Sequence, residues 1–102
     1  MLFVYTTYRD AESANALSCK LIDQKLAVGV NYWPVHSMMG LKGECREAEG
    51  VAVLIRTFET KLPQVEDLIS SDFPDGIPVV ATFAVWRINR PYKEWLMKQG
   101  FE

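Results

Sequence analysis

The stretch Val51-Ala52-Val53-Leu54-Ile55 is apolar at every position. Successive side chains of a strand point to opposite faces, so a sheet with one wet face alternates apolar and polar residues. No alternation occurs here, and both faces of this strand need cover. Val79-Val80-Ala81 and Phe83-Ala84-Val85-Trp86, parted by Thr82, make the same demand, and an early strand opens with Leu2-Phe3-Val4-Tyr5. Whatever fold the chain adopts must hold a sheet that is apolar on its back as well as its front.

The remaining elements follow from local chemistry. Leu2 to Tyr8, rich in β-branched and aromatic residues, is predicted to be the first strand. Asp10 is the expected N-cap of a helix, with Glu12 at the positive end of its dipole. Ala14, Leu17 and Leu21, with Ile22 at the margin of the stripe, recur at helical spacing and predict a helix reaching about Leu26. Val28 to Trp33 is predicted to be a second strand, interrupted at Pro34 by a bulge or an edge position and resumed over Val35 to Met39. Gly40-Leu41-Lys42-Gly43 is turn chemistry, and Val51 to Phe58 is predicted to return as the other half of a long hairpin. A second helix is expected to be capped by Thr60, with Pro63 in its first turn and Val65, Leu68 and Ile69 as its stripe. Phe73 to Gly76 form a turn, Ile77 to Ile88 are predicted to be one long last strand, and Asn89-Arg90-Pro91 open a short helix with Tyr92, Trp95 and Leu96.

The order is β-α-β-β-α-β plus a C-terminal helix: an α+β, ferredoxin-like single domain over residues 1–102 with an antiparallel sheet. Right-handed crossovers put both main helices on one face of that sheet. A terminal helix of about ten residues is too short to roof the other face of four strands. Leaving that face wet forfeits roughly 25 cal/mol per Å² of apolar surface, so a second copy of the chain is the expected cover.

Apolar residues make up 49% of the chain and charged residues 24%, as in a globular protein. No apolar run has the length of a membrane-crossing helix. A net charge of -2 argues against a nucleic-acid partner held through phosphates. Met1 to Tyr8 carry no basic leader pattern, and Cys19 and Cys45 form no CxxC pair, so a cytoplasmic location with reduced thiols is expected.

Several motifs together resemble the divalent-cation tolerance (CutA) family. They are Thr7 with Asp10 after the first strand, Ala27 to Pro34, Gly43 with Glu47, Glu49 and the Val51 to Thr57 run, Phe73-Pro74 to Pro78, and Tyr92 to Leu96. The resemblance implies a tight homotrimer built like the PII signalling proteins, and a link to tolerance of copper and other divalent cations. At the family's candidate metal-ligand positions this chain carries Thr6, Gly29, Phe73 and Val79, and Leu41 replaces a tryptophan near the hairpin tip. None of these is a ligand of the expected kind, so no resident metal or other cofactor is expected.

Among the residues themselves, His36 and Met38 share one strand face, with Met39 opposite and Cys45 returning across the hairpin. Sulfur and imidazole suit Cu(I), but methionines filling an interface and a surface histidine explain them more simply. Cys19 is expected to be a buried structural thiol. Asp10, Glu12, Glu44, Glu47 and Glu49 are expected to be solvated charge, and no catalytic group is expected. Trp33, Trp86 and Trp95 fit interface packing better than a ligand cage. Arg56, Arg87 and Arg90, with Trp33, are spaced to meet a small anion at a subunit cleft, as a PII-like sensor would require.

Other functions of this topology find little support. The strand from Gly50 to Arg56 lacks the stacking aromatics of an RNA-binding RRM sheet. The CxxC of heavy-metal transport domains is missing. Only Arg9 in Thr7-Tyr8-Arg9-Asp10 matches an acylphosphatase cradle. The expected function is a non-catalytic binding or structural module whose partner is itself, with a metal ion or small anion as ligand.

Overall fold

The computed structural model describes residues 1–101. Its elements are β1 (Leu2–Tyr8), α1 (Ala11–Asp23), β2 (Gly29–Leu41), β3 (Glu44–Thr57), α2 (Leu62–Ser71), β4 (Ala81–Ala84) and α3 (Arg90–Lys98). The four strands form one sheet in the order β2-β3-β1-β4, with every neighbouring pair antiparallel. This is the β-α-β-β-α-β arrangement with a terminal helix.

Register decides which residues share a face. Ile55 stands between Val4 and Val30, and Val53 between Thr6 and Tyr32. Val4, Tyr8, Val51, Val53 and Ile55 join Ala14, Leu17 and Leu21 of α1 and Val65 and Ile69 of α2 in the buried core. Both helices therefore cover the same face. The opposite face carries Phe3 and Tyr5 of β1, Ala52 and Leu54 of β3, Trp33 of β2 and Phe83 of β4.

Asp10 caps α1 as expected: its carboxylate accepts from the Ser13 amide at 2.8 Å. That bond, reinforced by the Ser13 side chain and the Arg9 charge, holds the Asp10 carboxyl below its ordinary value of 3.8. A lowered carboxyl stabilises the fold above that ordinary value, and the contribution is lost as pH falls through the lowered one. Asp10→Ala should lower the thermal midpoint near neutral pH, and Asp10→Asn, which keeps the cap oxygen, should largely restore it. Thermal scans at pH 7 and pH 3 check this, since the gap between Asp10→Ala and the parent should shrink in acid.

The helix stops three residues short of Leu26. The Lys25 amide donates to the Ile22 carbonyl at 3.0 Å and the Leu26 amide to the Leu21 carbonyl at 2.8 Å. These are the two bonds of a Schellman end, with Lys25 in the left-handed region at φ 56. Leu26 is apolar because it packs back with Leu21 in the core, not because it continues the helix.

Three other boundaries differ from expectation. The hairpin is longer: β2 runs unbroken through Pro34, which its edge position tolerates, and β3 begins at Glu44 rather than Val51. Gly40 lies within β2, and the turn is only Lys42 and Gly43, at φ 53 and 78, the positive pair of a type I′ hairpin. Thr60 does not cap α2; it sits in a 3-10 turn at Glu59–Lys61, and the helix starts at Leu62 with Pro63 in its first turn. The last strand is four residues instead of twelve. Ala84 pairs with Leu2, so beyond one bond from the Val85 amide to the Met1 carbonyl the chain has run past the end of β1. At the other end, Pro78 has no amide to offer a ladder.

α3 docks on the back of the sheet at one end. Arg56, which faces that side, donates from Nη1 to the Tyr92 hydroxyl at 3.2 Å. The helix closes with a second Schellman end, in which the Phe101 amide donates to the Leu96 carbonyl at 2.9 Å and Gly100 takes φ 87. Phe101 then stacks on Phe58, centroids 5.9 Å apart.

Candidate functional site

The open face of the sheet is apolar at its centre and along its margins. Ala52 at its centre is buried, and Phe3, Tyr5 and Leu54 around it are half-buried. Toward the edges, Trp33 is 42% and Phe83 55% exposed. The segments flanking β4 carry two more exposed apolar side chains, Ile77 at 99% and Trp86 at 91%. α3 meets this face at Arg56 through Tyr92, while Trp33 and Phe83 stay exposed, so the short helix does not roof the whole of it.

The hairpin arm carries the weak metal candidates. His36 lies between two carboxylates of β3, with Nδ1 3.6 Å from Glu47 Oε1 and Nε2 3.8 Å from Glu49 Oε1. Each carboxylate faces a different ring nitrogen, so the two cannot close on one ion together with that ring. Met38 pairs with Glu47 and Cys45 with Gly40 in register, and all are exposed. Among the described residues, no group of three or more His, Cys, Asp and Glu side chains is arranged to hold a metal ion.

The positions marked by the family resemblance do not fit a metal either. Thr6 is fully buried under the helices, its hydroxyl without a partner. A Cβ on Gly29 would run into the Arg56 guanidinium. Phe73 meets Tyr8 edge to face at 5.1 Å, and Val79 is half-exposed. These groups supply no imidazole, thiolate or carboxylate, and the space a ligand would need at Gly29 is taken.

The arginines are dispersed within the chain. Arg56 bonds to Tyr92, and its Nε is buried without a partner. Arg90 is exposed and paired with Glu94 at 3.1 Å. Arg87 lines a cavity of about 700 Å³ bounded also by Lys93 and the Phe58–Phe101 stack. Trp33 sits on the open face, and Trp95 stacks on Tyr92 at 5.9 Å. Cys19 is exposed, not buried, with its thiol 3.7 Å from Asn15 Oδ1. It falls off the Ala14-Leu17-Leu21 stripe that faces the core.

Two features escaped the sequence. Tyr8 donates to Asp72 Oδ2 at 2.7 Å, tying the end of β1 to the end of α2. Burial, and then the hydrogen bond and charge of Asp72, hold that phenol well above its ordinary range. The partners lie 64 residues apart, so no local pattern announces them. The cavity depends on the helix-ending bonds of Gly100 and Phe101, visible beforehand only as a glycine before an aromatic residue.

A family model for the CutA1 divalent ion tolerance protein matches residues 2–99. The chain belongs to the CutA1 family. It is 29% identical over 100 residues to the divalent-cation tolerance protein CutA of Thermococcus kodakarensis, a match covering 98% of this chain and 96% of that one. Human protein CutA is 26% identical over 90% of this chain, which corresponds to 52% of the human protein. A crystal structure of Pyrococcus horikoshii CutA has a TM-score of 0.86 at 25% identity, covering 97% of this chain and 98% of that one. The CutA1 fold thus persists here while the positions expected to hold metal carry Thr6, Gly29, Phe73 and Val79.

Proposed function

We propose that this CutA1-family chain is a non-catalytic, self-assembling module of divalent-cation tolerance, in which three copies cover one another's open sheet face and no copy holds a resident metal. The apolar face carries this conclusion. Its centre is built of core-type residues, Ala52 and Leu54 flanked by Phe3 and Tyr5, while its margin at Trp33 and Phe83 stays wet in the lone chain. Contiguous apolar surface of this kind is uncommon on monomers, and symmetric copies of the same chain are the commonest cover. The number three rests on the family resemblance. Tolerance, in this function, is exerted by the assembled particle rather than by a metal centre within one chain.

Equilibrium dialysis of the purified protein against Cu(I), Cu(II) and Zn(II) tests the metal part. Less than one tight equivalent per chain is expected for each ion. One tight equivalent, abolished by His36→Ala, would place a genuine centre on the hairpin arm and contradict the proposal.

A further inference from the structure

The cavity beside α3 has a chemistry of its own, distinct from the apolar sheet face. We propose that it binds a small amphipathic carboxylate, an apolar body with a single anionic head, and that Arg87 and Lys93 receive the head. Its volume of about 700 Å³ lies within the range of roughly 300–1,000 Å³ usual for small-molecule pockets. Phe58, Leu96, Met97 and Phe101 give it an apolar wall. Much of that wall is held in place by the chain itself, since the Phe101 amide is bonded to the Leu96 carbonyl and its ring is stacked on Phe58. A preformed wall spares a ligand the ordering cost of making one.

Among the described residues the charged side chains of the lining have one sign: Arg87 and Lys93 are the only ionisable side chains there, no carboxylate side chain joins them, and neither cation forms an ion pair. Two cations at a concave apolar site focus a positive potential, which favours an anion over a neutral or cationic guest. A planar guanidinium matches a carboxylate through two parallel hydrogen bonds. The site is also polarised along α3. Lys93 precedes Met97 by about one turn, and the Phe58–Phe101 stack lies beyond the end of the helix, so head and body have separate seats.

Isothermal titration of the intact protein with octanoate, octanol and acetate tests this. Octanoate should bind saturably, with one per chain, and both octanol and acetate at least ten-fold more weakly. The Arg87→Gln/Lys93→Gln double variant should lose at least ten-fold for octanoate and leave octanol unchanged. No saturable octanoate binding overturns the inference; so does octanol binding as tightly as octanoate, or a double variant that binds octanoate like the parent. Sedimentation of the same samples keeps this separate from the assembly. An assembled protein that ignores octanoate contradicts the cavity proposal alone, and a lone chain that binds octanoate contradicts the assembly alone.

Discussion

Ile55→Ala should cost the fold about 2–5 kcal/mol, the range for truncating a fully buried aliphatic side chain. Ile55 is completely buried, stands between Val4 and Val30 in the sheet, and belongs to the core under α1 and α2. The loss combines transfer of the removed carbons with the cavity they leave. The strand cannot close over that cavity, because cross-strand pairs on both sides fix its position. Domains of this kind are stable by only about 5–15 kcal/mol, so the variant should lose a large share of that margin. Urea unfolding at fixed protein concentration measures it, since assembly would add to apparent stability by mass action. A loss under about 1 kcal/mol would mean that Ile55 is not in the core described here.

Its neighbour should behave differently. Leu54 lies on the other face, opposite Tyr5 and Asn31, and is only half-buried in the lone chain. Leu54→Glu places a carboxylate in the middle of the open face, where the lone chain can still leave it in contact with water. In an assembly that covers this face the same carboxylate is buried without a partner, a cost of about 3–5 kcal/mol. Every ~1.4 kcal/mol is a ten-fold change in a dissociation constant, so half-dissociation should move to at least a hundred-fold higher concentration. Circular dichroism should show the secondary structure retained. Unchanged sedimentation of Leu54→Glu would mean that this face is not the contact. Two adjacent residues, one point apart in sequence, thus report on folding and on assembly separately.

That contrast was legible in the sequence, because an all-apolar strand places Leu54 and Ile55 on opposite faces whatever their partners. The Asp10 cap, the Pro63 entry to α2 and the opening of α3 were legible for the same reason: each rests on chemistry within one turn. The misses lie where distant partners decide. The last strand ends early because β1 runs out at Leu2, a fact of register that the apolar run from Ile77 cannot announce. The near half of β3, Glu44 to Gly50, carries four charged residues and only Cys45 and Ala48 as apolar ones, so the apolar signal of the strand starts at Val51. Lys25 ends α1 in a left-handed conformation that usually signals itself through glycine. Cys19 was placed inside on the habit of thiols, although its offset from Leu17 and Leu21 already put it outside. The candidate anion residues Arg56, Arg87 and Arg90 belong to an expected cleft between copies; within one chain Arg87 lines a cavity together with Lys93, which no motif singled out.

Sedimentation velocity of the wild-type protein at micromolar concentration examines the open face most directly. A single species at three times the 11.6 kDa chain mass, persisting on dilution, is the predicted result. A stable species at one chain mass would show that the back of the sheet tolerates water, and the proposed assembly would be wrong.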